Sequence, residues 1–366
     1  MRLASKIFLP VAGGLLVVTA IAVGLGILFV QSLQNHLLHE QAQRDMATIR
    51  LLMHQATQEA RDLTSLFLRL PEVENAYRLA LSGTIDDEAD PKVHEARLQL
   101  RRTLEPMLAG YAAATGTKLK LHFHLPNSRS LVRLWRKTNF ERGGVPLDIS
   151  DDISPFRQTV VEANSKRHPQ HGLEVGVGGF DLRYVLPVTA ADGTHLGSAE
   201  VLMDLGELLD AASASLQVDA AIFMDDRLLP IAVKLQDAAK HPRMGRFVQV
   251  RAPHDPKTAG AVDATWLAQA MQHPQTRHQE DRFLAAFPLQ DFSGALVGVL
   301  VLSHDTHLLS ALLQRAGLIA SAVAAVFLGM ILLVISLTVR QVVLLPLGRL
   351  TQAALRIRDG HLETEI

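Results

Sequence analysis

A chain of 366 residues has room for two or three domains, and a formal net charge of −1 supplies no field for nucleic acid, so that class of partner is excluded. The 48% hydrophobic content lies at the upper end of the soluble range, and the absence of cysteine excludes disulfides, zinc–thiolate sites and thiol catalysis.

The apolar excess is local. Residues 7–35 and 316–339 contain no Asp, Glu, Lys or Arg, and each run is longer than the about 20 residues that cross a hydrocarbon core. The first follows Arg2 and Lys6 but runs on through Phe29 and Val30 into Gln31 with no Ala-x-Ala pattern, too long for a signal-peptide core and without its cleavage site. It reads as an uncleaved anchor. Basic residues set the orientation: Arg2 and Lys6 precede the first span, and Arg340, Arg349, Arg356 and Arg358 follow the second, so both termini are expected in the cytoplasm of an inner-membrane protein. Residues 31–315 then form one extracytoplasmic domain.

That domain opens on a long helical pattern. Leu38, Met46, Ile49, Leu52, Met53, Ala56, Ala60, Leu63, Phe67 and Leu70 recur at steps of three and four before Pro71, which predicts a rod continuous with the first span. A second helix is expected over 91–114, bounded by the acidic loop 86–90 and by Thr115-Gly116. The period then changes from 3.6 to 2. Residues 118–125 (KLKLHFHL) alternate, Pro126-Asn127-Ser128 turns, and 131–135 returns as a hairpin strand. A short helix over 156–164, strands over 172–176, 180–188 and 196–205, and helices expected on one side complete an antiparallel α+β module. After a helical linker at 206–216, strands at 220–224 and 247–251, a helix at 262–271 and a hairpin of 283–287 with 294–303 form a smaller module, and a helix from about Thr306 feeds the second span.

The end of the chain reads as a transmitter. In 346–362 (PLGRLTQAALRIRDGHL) Pro346 suits a first helical turn, Gly360 a helix end, and Leu347, Leu350, Ala354 and Ile357 are spaced three, four, three, a seam that asks for a partner helix. This spacing, with Leu362, resembles the first helix of a HAMP domain, the linker after the last span of bacterial receptors, sensor kinases and membrane-bound cyclic-di-GMP enzymes. The order of elements resembles a double Cache receptor. Its most specific stretches, 125–135 (LPNSRSLVRLW), 172–183 (GLEVGVGGFDLR) and Pro187-Val188, are similar to the membrane-distal module of a grouping found in methyl-accepting chemotaxis proteins. The resemblance implies a dimeric receptor with a tandem PAS-like ectodomain and a pocket in the distal module.

The domains expected are 1–35 (cytoplasmic tail and first span), 36–118 (helical stalk and second helix), 119–217 (distal Cache module), 218–312 (proximal Cache module), 313–339 (second span) and 340–366 (partial HAMP). The fold class is thus α+β, a two-span membrane protein with a double Cache ectodomain on a long N-terminal helix, followed by a HAMP-like helix.

Arg133 and Trp135 share a face if both lie on a strand, and a guanidinium beside an aromatic wall suits a small carboxylate. Arg133-x-Trp135 also resembles part of the motif of amino-acid-binding double Cache domains, where a Tyr follows; here Arg136 stands. His124, Glu174, Arg183, Tyr184 and Asp204 complete the candidate ligand-binding set. His122 and His124 place two imidazoles on one strand face, but a third ligand would have to come from His168 or His171 in a solvated loop, and no metal or other cofactor is expected. The glycines of 172–179 read as a tight turn and not a phosphate loop, because no Lys-Ser/Thr and no helix follow.

Composition and motifs together point to a receptor for a small ligand, with an anionic one suiting the Arg133 and Trp135 pair. It would signal as a homodimer in the bilayer to a cytoplasmic module or kinase, with chemotaxis the first expectation and a histidine kinase or diguanylate cyclase output the alternative. An anchored extracytoplasmic enzyme is the rival from another class. No Ser-His-Asp order, paired carboxylates or metal motif supports it.

Overall fold

The computed structural model describes residues 2–358. They form two units: residues 41–305, and the segments 2–40 and 306–358. Helix α1 (Arg2–Phe67) and helix α8 (His307–Thr338) each contain a stretch long and apolar enough to cross a membrane, so the chain is a two-span membrane protein. A turn of π-helix, Val339–Leu344, follows α8 and leads into α9 (Leu345–Arg358), with Pro346 in its first turn. Leu347 and Leu350 of the expected seam are exposed. Gly360 and Leu362 of the HAMP-like pattern lie outside the described residues.

Pro71 ends the long helical pattern as expected, but it also opens a helix the periodicity missed, α2 (Pro71–Leu81), because proline's fixed φ suits a first helical turn. Asp90, the last residue of the acidic loop, caps α3 (Pro91–Thr115) by accepting from Lys92 N at 2.8 Å and Val93 N at 3.0 Å. Gly116 ends it in the left-handed conformation.

Strands β1 (Lys120–His124) and β2 (Ser130–Arg133) form the expected hairpin. A second small hairpin, β3 (Phe140–Arg142) and β4 (Val145–Leu147), precedes helix α4 (Gln158–Lys166). Strands β5 (Gln170–Gly176), β6 (Gly179–Thr189) and β7 (His195–Asp204) complete an antiparallel sheet of order β2-β1-β7-β6-β5. Helix α5 (Leu205–Leu216) leads to β8 (Asp219–Asp225), β9 (Arg243–Met244), β10 (Phe247–Arg251), α6 (Pro256–Gly260), α7 (Ala264–Ala270), β11 (Gln275–Gln279), β12 (Arg282–Gln290) and β13 (Leu296–Asp305). These strands form a second sheet of order β11-β12-β13-β8-β10-β9. Numbered within its own module, with the two-residue β9 set aside, each sheet runs 2-1-5-4-3. The ectodomain is a tandem of one strand topology.

Helices cover both faces of the first sheet, not one. On one face α2 and α3 bury Tyr77, Leu100 and Leu104 against Leu121, Phe123, Ala199 and Val201. On the other, α4 packs Val160 and Ala163 on Val185 of β6. Strand alternation sorts the residues: Leu121 and Phe123 go to the apolar side, while Lys120, His122 and His124 go to the other. The modules meet at β5 and the β5–β6 turn, where Leu173 O accepts from Phe292 N at 2.8 Å and Val177 O from Lys234 N at 3.0 Å. Glycine permits this approach: a Cβ on Gly172 (φ +140°) would lie 2.9 Å from Phe292 Cβ, and one on Gly179 (φ +125°) 2.9 Å from Val250 Cγ1.

Candidate ligand site

The polar face of the first sheet opens into a cavity of about 880 Å³. Lys120, His122, Asp181, Arg183, Leu202 and Asp204 project into it from β1, β6 and β7; Arg133, Trp135, Arg136 and Asp151 line one side. Lys234, Val250 and Arg251 close it from the second module. The site therefore lies between the two sheet modules, where the sequence placed it in the first alone.

Strand β2 stops at Arg133, so Trp135 is not on a strand as expected. Leu134 N still donates to Leu121 O at 3.0 Å, but Arg136 N turns back toward Arg133 O. Buried Asn139 holds this turn: its Oδ1 accepts from Arg133 N at 2.7 Å and its Nδ2 donates to Ile149 O at 2.7 Å. From α3, buried Arg97 donates to Leu131 O and Asp148 O, and Arg101 to Arg136 O and Asp148 Oδ1. The wall carrying Trp135 and Arg136 is thus pinned at both ends by groups already inside the protein.

Arg133 faces the cavity, but its fork is taken. Nη1 and Nη2 donate to the two Asp151 oxygens at 2.6 and 2.9 Å, and Nη1 also donates to Asn139 O. This geometry gives Arg133 a structural partner where the sequence suggested a ligand. Arg136 differs. It is exposed, its guanidinium carbon stands 5.9 Å from the Trp135 ring centre, and among the described residues it makes no side-chain hydrogen bond. Lys234, exposed on the facing wall, makes none either among the described residues.

Arg183 is 1% exposed and lies at the centre of a buried ionic cluster. It meets Glu200 at 2.8 and 3.0 Å, Asp181 at 2.9 Å and, through Nε, Glu174 at 3.1 Å. Burial works against its charge, but the three carboxylates outweigh burial and hold its pKa above the ordinary value. Burial likewise opposes the charge of Glu200, yet Arg183 and the neighbouring imidazoles hold that carboxyl well below its usual range. Glu174 and Asp181 go the other way, pushed up by burial. Arg157, desolvated and close to Arg183, is lowered to about 10.

Of the residues singled out in the sequence, Arg133, Trp135, Arg136, Arg183 and Asp204 line the cavity. Asp204 is also the cap of α5, accepting from Gly206 N at 2.8 Å. His124 and Glu174 lie behind the lining, the latter accepting from Thr159 N and Oγ1. Tyr184 is excluded from the site: one residue from Arg183 on the same strand, it points to the opposite face and stacks on His171 at 5.1 Å. Glu200 went unnoticed, although it shares a strand face with Asp204 at even spacing. Lys120, Asp151 and Lys234 were also missed, the last because it comes from another module.

Residues 94–309 match the sequence profile of a family described as the double sensory domain of two-component sensor kinase (dCache_3). The chain belongs to this family. Its ectodomain is therefore a sensory double Cache domain, a class defined by sensing and not by catalysis. Solved structures it is similar to include the periplasmic domain of Vibrio cholerae LuxQ, at 8% identity and a TM-score of 0.40 over 72% of this chain and 98% of that one. The sensor domain of the V. cholerae histidine kinase DctB gives 12% and 0.39 over 74% and 98%. A domain of a sensory box/GGDEF family protein from Vibrio parahaemolyticus gives 12% and 0.41 over 74% and 97%. No curated protein matches.

Proposed function

We propose that this double Cache protein is a transmembrane receptor that binds a small ligand with an anionic group in the cavity between its distal (119–217) and proximal (218–312) modules. The observation that carries this reading is the pair of uncommitted cations on facing walls, Arg136 over Trp135 and Lys234 from the second module. The deeper cations Arg133 and Arg183 already hold carboxylates. A ligand that bridges the walls prefers one arrangement of the modules, and a preference of a few kcal/mol shifts a two-state receptor. The proximal sheet feeds this shift onward, because β13 ends at Asp305 and α8 begins at His307.

In this reading both termini are cytoplasmic, by the flanking arginines and Lys6. Helix α9 starts a HAMP-like bundle with a second copy through Leu347 and Leu350. The output is chemotaxis signalling first, with a histidine kinase or diguanylate cyclase as the alternative. The chain acts by binding and not as an enzyme.

The test is a thermal-shift screen of the full chain in detergent against small carboxylates, since a ligand that binds only the folded state raises its stability by RT ln(1 + [L]/Kd). The hit should bind Arg136→Ala about 10- to 150-fold more weakly, the loss of a hydrogen bond to a charged group. Unchanged affinity in Arg136→Ala would move the pocket elsewhere. A reporter after Arg358 should be active only if cytoplasmic, and cysteine at Leu350 should cross-link two chains in membranes.

A further inference from the structure

Behind the cavity wall, two buried imidazole nitrogens and a carboxylate oxygen converge. His124 Nε2 lies 2.9 Å from His122 Nδ1 and 3.3 Å from Glu200 Oε1, and His122 Nδ1 lies 3.2 Å from Glu200 Oε1. The outer ring nitrogens have partners of their own: His122 Nε2 is 2.8 Å from Ser130 Oγ, and His124 Nδ1 is 3.1 Å from Ser198 Oγ. All three side chains are buried, with His124 and Glu200 at 0% exposure.

Proton counting makes this arrangement informative. If both outer nitrogens donate to the serines, each ring is neutral and both inner nitrogens are lone pairs. Two lone pairs then face Glu200 Oε1, and although Arg183 Nη1 donates to that oxygen at 2.8 Å from its other side, no proton stands among the three atoms. If both inner nitrogens carried protons instead, two N–H groups would collide at 2.9 Å. The cluster needs either one shared proton or a cation.

The dimensions suit a cation. Zinc bonded to nitrogen and oxygen at about 2.0–2.2 Å in a tetrahedron sets its ligand atoms about 3.4 Å apart, and the three separations observed here are 2.9, 3.2 and 3.3 Å. The serine hydroxyls stand where outer-shell partners orient metal-bound imidazoles. The cluster also carries an excess of negative charge. Arg183 and Arg157 supply two positive charges to Glu174, Asp181 and Glu200, which leaves one negative charge over. His122 also lines the cavity, edge-on to Trp135 at 5.7 Å between ring centres, so one side chain separates the cluster from the cavity.

We infer that His122, His124 and Glu200 form a site for a divalent borderline metal ion of the zinc type, set directly behind the ligand cavity. The pair of histidines is legible in the sequence; the third ligand comes from the neighbouring strand β7 and not from the loop of His168 and His171, because the register sets His122 opposite Glu200. Nitrogen and carboxylate donors favour zinc over magnesium or calcium, which take oxygen ligands. The inference is independent of which organic ligand the cavity takes.

The test uses the full chain, purified in detergent without a histidine tag, stripped with a chelator and titrated with Zn²⁺ against a chromogenic competitor. One tight zinc per chain is expected in the parent. Glu200→Gln and His124→Ala should each weaken it by more than the about 10- to 100-fold that an outer-shell change costs, and Ser130→Ala should fall inside that range. His168→Ala and His171→Ala should leave it intact. With Co²⁺ in place of zinc, the intense visible bands of a tetrahedral ion should appear in the parent and vanish in Glu200→Gln, a near-isosteric change whose cooperative melt certifies the fold if His124→Ala does not survive. Zinc held by the parent no more tightly than by Glu200→Gln would overturn the site and leave a shared proton as the occupant. So would loss of tight binding in His168→Ala or His171→Ala.

Discussion

The two sheet modules share a strand order and differ in what they bury. On the cavity side of the first, Arg183, Glu200, His122, His124 and Glu174 are removed from water. In the second, Trp266 and Leu267 of α7 pack against Phe223, Leu284, Ala286, Val299 and Val301. An apolar core is stabilised by buried area and close packing, with no partner that a given side chain must keep, whereas a buried ionic cluster is stable only if every member keeps its partner. The difference teaches where function lies in a duplicated fold. The first module maintains desolvated charge beside the cavity in addition to its apolar core, and in the proposed reading that is where a ligand's charge would be felt.

The largest effect expected from breaking this contrast is at Arg183. Arg183→Met strands Glu200, Asp181 and Glu174 without their shared cation and should cost about 3–5 kcal/mol in chemical denaturation. Adding Glu200→Gln should return part of that loss, the signature of coupled charges in a double-mutant cycle. Leu284→Ala in the proximal core should cost about 2–5 kcal/mol through lost burial and the cavity left behind. No charge substitution in the distal module should rescue it.

Arg133 sharpens the comparison at the cavity wall. Its pair with Asp151 is slightly exposed, at 11% and 7%, so Arg133→Ala should cost somewhat less than Arg183→Met, about 2–3 kcal/mol, and lower the melting temperature with or without ligand. A variant that melts like the parent yet loses ligand would restore Arg133 as the anion anchor.

The smallest effect concerns a buried pair that joins β13 to α1. His304 Nε2 lies 3.3 Å from Asp45 Oδ2, and burial holds the His304 pKa below its ordinary 6.5 despite that carboxylate. A depressed histidine takes up its proton more readily unfolded than folded. Stability should therefore fall as pH drops below about 6.5. Asp45, raised by burial, acts in the opposite sense at lower pH. His304→Gln should flatten the upper part of that dependence, and an unchanged slope would assign it to other histidines.

Much of the architecture was legible because it depends on local patterns. Two uncharged runs specify the spans, the alternation KLKLHFHL specifies β1, and the glycines of 172–179 specify the β5–β6 turn. Helix α2 escaped because Pro71 both ends one helix and starts the next, and a period of 3.6 carries across the break. Helices on both faces of the first sheet were not legible either, since a short amphipathic helix such as α4 does not state which face it will cover.

The site divided along the same line. Residue types and strand parity could bring Arg133, Arg136, Arg183 and Asp204 forward, and parity could equally have found Glu200 and rejected Tyr184. The sequence by itself determined the span pattern, the alternation and the supply of charged groups, because these follow from periodicity and transfer energy along the chain. Only the tertiary structure decided which charges neutralise one another. Whether Arg133 waits for a ligand or is spent on Asp151 depends on an 18-residue separation closing to 2.6 Å, and an ionic contact that steep in distance is set by packing, not by order in the chain.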